Sequence, residues 1–131
     1  MAKFFDENVD IHHIFPKAWC KGKVDSARTE SFVNKTAIAA KTNNIIGGKA
    51  PSVYLQALQS AASISEERMD EILRSHVIEP VALRLDDFDE FFKLRTEELL
   101  GRIENAMGKP IPRDRIDPIN DAEFTDDEEA A

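Results

Sequence analysis

The 131-residue chain is poor in the residues that most often carry chemistry: it has one cysteine, one tryptophan, one tyrosine and three histidines. The lone Cys20 excludes an internal disulfide, and it excludes a zinc ribbon, whose ligands come in paired CxxC steps. No run of about 18 apolar residues is present, so no membrane span is expected. The opening MAKFFDENVD lacks the apolar centre of a secretory signal, and a reducing, cytoplasmic setting is the expectation. The phosphate-loop spacing is also missing. IIGGKAPS has two adjacent glycines before a predicted helix and reads more simply as a tight turn.

What is there suits one folded domain. Hydrophobic residues make up 42% and charged residues 32%, enough for a core with a well-solvated surface. The net charge of −8 argues at first against a nucleic-acid partner, but its distribution reverses that impression. Residues 11–60 carry seven Lys or Arg against Asp25 and Glu30, a net of +5, whereas the last 71 residues carry −11. An acidic protein can thus keep a basic surface for phosphate.

Along the chain, residues 4–15 alternate loosely and read as extended structure, followed by a turn at Pro16 and KGK. VNKTAIA reads as a second short strand. A helix is expected over SVYLQALQSAA, with Pro51 in its first turn, where a missing N–H costs nothing. Ser63 and Glu66 have capping-box spacing and predict a helix through SEERMDEILRSH. The longest periodic stretch, residues 86–107, places Phe88, Phe91, Phe92, Leu99, Ile103 and Met107 at helical spacing, with Gly108 and Pro110 as the stop. From Asp114 onward eight acids face one arginine, which predicts a flexible acidic tail.

Two of the three histidines, His12 and His13, are adjacent in DIHHIFPKAWC. Neighbours on a strand point to opposite faces, so packing alone gains little from such a pair. A site at a strand end or bulge is the alternative. Asn34-Lys35 follows twenty-one residues after His13, and Asn43 nine after Asn34. In this pattern, with VDIHHIFPKAWC, SFVNKTAIAAKTNNIIGGKAPSVYL and ILRSHVIEP, the chain resembles the HNH, or His-Me finger, nuclease superfamily. More narrowly, it resembles the C-terminal nuclease module of GmrSD-type modification-dependent restriction enzymes, over most of residues 8–107.

The resemblance implies an α+β fold: a β-hairpin plus helix forming a ββα-metal finger, with a mainly helical C-terminal part. Residues 1–110 would form the nuclease domain and 111–131 the acidic tail. The implied activity is divalent-metal-dependent cleavage or nicking of DNA within a phage-defence restriction system, leaving a 5′-phosphate. His13 would be the general base, His12 and Asn43 the metal ligands, and Asn34 the residue that orders the connecting loop. Mg²⁺ is the expected metal, with Mn²⁺ or another transition metal as alternatives. A larger sensor module that uses nucleotide would be the partner.

The chemistry supports those roles independently. Phosphodiester hydrolysis needs an activated water and a cation for the charge gathering on phosphate. A neutral imidazole suits the base. Asn in the third motif position, where the name has His, weakens metal binding. Asp10 reads in two ways, as a partner fixing a histidine tautomer or as an exposed strand residue. Lys35, Lys41 and Lys49 each read alone as solvated; grouped beside the motif they are candidates for phosphate contacts. Trp19 and Cys20 are expected to pack behind the hairpin, and His76 to meet carbonyls at a helix end. Two other functions stay open: a non-catalytic DNA-binding or assembly module with a structural metal motif, and a nuclease directed at RNA.

Overall fold

A computed structural model describes residues 9–111. The first part of the expected extended stretch and nearly all of the expected acidic tail lie outside these residues. The described fold is α+β: one two-stranded antiparallel hairpin and a largely helical remainder.

Strand β1 (Val9–His13) pairs with β2 (Lys35–Ala39) in unbroken register, from Val9 opposite Ala39 to His13 opposite Lys35. No bulge interrupts the histidine strand. The strands are joined by a long excursion, residues 14–34, which carries two single-turn helices, α1 (Lys17–Cys20) and α2 (Ser26–Thr29), and a 3₁₀ turn at Phe32–Asn34. Asp25 caps α2 by accepting from the Arg28 N–H, and Ser31 caps the 3₁₀ turn by accepting from the Val33 N–H.

Directly after β2 comes α3 (Ala40–Ile46), which ends at Gly47. Gly47 has φ +54°, ψ −138°, a conformation open to glycine and strained for other residues. Helices α4 (Pro51–Ala62), α5 (Glu66–Ser75), α6 (Pro80–Arg84) and α7 (Phe88–Met107) complete the fold. Pro51 opens α4 and Pro80 opens α6, each within the first helical turn. The expected cap at Ser63 is corrected. Ser63 closes α4 in the left-handed region at φ 55°, and Ser65 caps α5 by accepting from the Arg68 N–H.

The core gathers around Phe15, the second residue after the histidine pair. Its ring centroid lies 4.9 Å from those of Trp19 and Phe91 and 5.1 Å from that of Phe88. Phe88, Phe91 and Phe92 of α7 are buried with it, as their spacing predicts. Ile14 and Phe15 are among the most buried side chains, so the strand that carries the histidines is anchored at its C-terminal end. Among the described residues, no helix is long and apolar enough to cross a membrane.

Candidate functional site

The excursion is closed at its base by Asn34. This side chain is fully buried, and its carboxamide is bound on both sides. Oδ1 accepts from the Phe15 N–H at 2.9 Å, while Nδ2 donates to Phe15 O at 3.1 Å and Thr29 O at 3.0 Å. The backbone adds a bond from Ile14 N to Asn34 O at 2.7 Å. Asn34 thus joins both ends of the excursion and holds the end of the histidine strand against β2. From the other side, the buried Tyr54 hydroxyl donates to Ile14 O at 2.6 Å.

Held in this way, His12 and His13 both line one cavity of about 180 Å³, together with Lys17, Asn43, Pro16 and Gly47. The two rings leave the strand in opposite directions, yet the cavity lies at the strand's end and takes in both. Asn43 comes from α3, so the cavity joins the hairpin to the helix that follows it. A roomier cavity of about 330 Å³ lies against α5 and α7, where Arg74, Arg95 and Arg102 are balanced by Glu79 and Glu98. Size alone would favour it, but it holds no imidazole, and its carboxylates stand among three arginines. The smaller cavity holds the two adjacent imidazoles.

Around His13 the structure adds a residue that the sequence reading passed over. Glu30, at the end of α2, is only 3% exposed. Its Oε1 lies 3.1 Å from His13 Nε2 and 3.4 Å from Lys35 Nζ. Asp10, by contrast, is exposed and accepts from the Ile11 N–H. The only sequence signal for Glu30 is that it is one of two acids in an otherwise basic stretch, and the other, Asp25, is a helix cap.

The three lysines separate. Lys41 and Lys49 are exposed on and just after α3, whereas Lys35 is 8% exposed and turned inward toward Glu30. Lys17 reaches the cavity itself. Cys20 is buried and donates to Phe15 O, and burial pushes its thiol above the ordinary range. His76 ends α5, but its ring meets the hairpin instead of the helix-end carbonyls: Nδ1 lies 2.9 Å from Thr36 Oγ1. Burial, with a smaller contribution from the Arg95 charge, pulls its pKa down.

Comparison with known proteins adds one relative. The chain is 29% identical, over 117 residues, to an uncharacterized protein of Methanocaldococcus jannaschii. The match covers 72% of this chain and 20% of that protein, so the chain spans about a fifth of its relative's length. No family model matches the chain, and no solved structure matches it.

Proposed function

We propose that this chain is the nuclease part of a larger DNA-cutting protein, built as a ββα-metal finger of the HNH type. One observation carries the reading: His12, His13 and Asn43 reach a single cavity from a strand end and from the helix after the hairpin. The buried carboxamide of Asn34, locking the excursion, supports it.

The residues present fit an open divalent site. Among the described residues, no three His, Cys, Asp or Glu side chains come together, so no closed zinc-type cage is built there. One imidazole and one carboxamide suit a cation whose other positions are taken by water and phosphate oxygens. His12 and Asn43 would hold it, and Mg²⁺ or Mn²⁺ would offset the charge gathering on phosphate. His13 takes the proton from the attacking water as its oxygen bonds to phosphorus. The bond to the 3′-oxygen breaks, leaving a 5′-phosphate, and the departing oxygen takes a proton from solvent. Lys17, Lys41 and Lys49 attract the flanking phosphates without selecting a sequence. The match covers only a fifth of the relative, which suits a larger protein with further modules; the part that selects the DNA and sets a role in phage defence would lie in one of them.

Plasmid nicking with Mg²⁺, Mn²⁺ and no metal tests the reading on wild type and His13→Ala. Metal-dependent nicking is expected in wild type, and a loss of about 10²–10⁴-fold in the variant, at unchanged circular dichroism. Equal cutting by a nuclease-free preparation of the variant would sink the base assignment. An RNA substrate run in parallel separates DNA from RNA cleavage.

A further inference from the structure

We infer that Glu30 and Lys35 form a buried clamp that holds His13 in one orientation and one tautomer, with the proton on Nε2 and the lone pair on Nδ1. The three side chains come from separate pieces of the fold. His13 ends β1, Lys35 opens β2 directly opposite it, and Glu30 closes α2. The excursion must fold back before they can meet.

The tautomer follows from which groups can donate. The Glu30 and Lys35 side chains are only 5% and 6% exposed, and their charged ends lie 3.4 Å apart. An ammonium only donates, and it keeps the carboxylate beside it ionised; an ionised carboxylate only accepts. The His13 nitrogen 3.1 Å from the same Oε1 must therefore donate, which places the proton on Nε2. The nitrogen left basic is Nδ1, on a ring that lines the cavity. Glu30 is thus a positioning residue, and Lys35 belongs to the clamp instead of the phosphate surface. The catalytic consequence rests on the nuclease reading; the tautomer does not.

Long-range ¹H–¹⁵N correlation on metal-free, ¹⁵N-histidine-labelled full chain reads the tautomer directly, at a pH where the imidazoles are neutral. Three histidines make three patterns, and the one missing from His13→Ala is that of His13. Wild type should show a single Nε2–H form. Glu30→Gln, whose amide can either donate or accept, should show a mixture. So should Glu30→Leu with Lys35→Met, which removes the pair without stranding a buried charge and serves if the first variant fails to fold. An Nδ1–H form in wild type, or an unchanged single form in the variants, would overturn the clamp. In the nicking assay the variants should lose about 10–100-fold in kcat with KM unchanged, and an unchanged kcat would overturn the positioning role. A wild type that fails to cut with any of the metals would overturn the nuclease reading alone and leave the tautomer result standing.

Discussion

The side chains around the cavity divide into those that hold the fold and those that line the candidate site, and substitution separates them. Asn34→Ala would strand the Phe15 N–H and the Thr29 carbonyl in the interior and leave Phe15 O only the weak Cys20 thiol donor, each unpaired group costing on the order of 1–3 kcal/mol. A loss of about 3 kcal/mol in urea unfolding is expected, whereas Asn43→Ala, at a half-buried site on the cavity wall, should stay near wild type in stability. His76 makes a different prediction. Its folded pKa is lowered, so the unfolded chain binds the proton more readily and protonation favours unfolding. Stability should hold above the ordinary histidine range and fall as pH drops below about 6.5 toward the lower folded value. Melting temperatures at pH 7.5 and 5.5 check this, and His76→Gln should flatten the difference. The histidine pair and both asparagines could be singled out because together they match the pattern of the family that the sequence resembles. Glu30 was not, because its contact with His13 exists only once the sixteen intervening residues fold back.

Among the elements, the two strands and the long helices followed from the residue pattern, whereas TNNIIGGKAPS reads as turn-rich and yet opens within α3, and the helix ends also misled. Ser63 and Ser65 stand on either side of Ile64, and either could cap α5. Helix α4 runs through Ala62, which commits Ser63 to a left-handed closing position at φ 55°. Ser63→Gly should therefore stabilise the protein by up to about 1 kcal/mol, because glycine reaches that conformation without a Cβ penalty. Ser65→Ala should cost about 1 kcal/mol by removing the acceptor for the Arg68 N–H. The reverse order of midpoints in denaturation would return the cap to Ser63. Helix α4 shows why some ends cannot be read locally. It has no side-chain cap of its own at its start, and Asp86, thirty-four residues on, accepts from both the backbone N–H and the hydroxyl of Ser52.

Over the whole molecule, Arg95 of α7 ties the helical part to the hairpin. Its guanidinium is buried and donates to Val33 O at 2.7 Å, to Lys35 O at 3.2 Å and to His76 O at 2.9 Å. One side chain thereby fixes the start of β2, the end of α5 and the long helix relative to one another. Burial draws its pKa down to about 10, so it stays charged at neutral pH. Arg95→Leu should cost about 3 kcal/mol by leaving those carbonyls unpaired, and Arg95→Lys should recover little, because a single ammonium cannot span the three sites. Denaturant midpoints measure both. The sequence marked the α7 phenylalanines as core, but an arginine among them reads as surface until the carbonyls it serves are in place.

The excursion between the strands has a use beyond the cavity. Asn34 seals its base, while residues 21–23 at its far end are exposed and an added side chain at Gly22 would meet nothing within 4 Å. Lengthening such a loop costs only about 0.6 kcal/mol per doubling. A reporter or a targeting peptide spliced in at Gly22 would ride on the segment that supplies Lys17, with the histidines and Asn43 left as they are. The fold offers an attachment point on the same excursion as one wall of the candidate cavity.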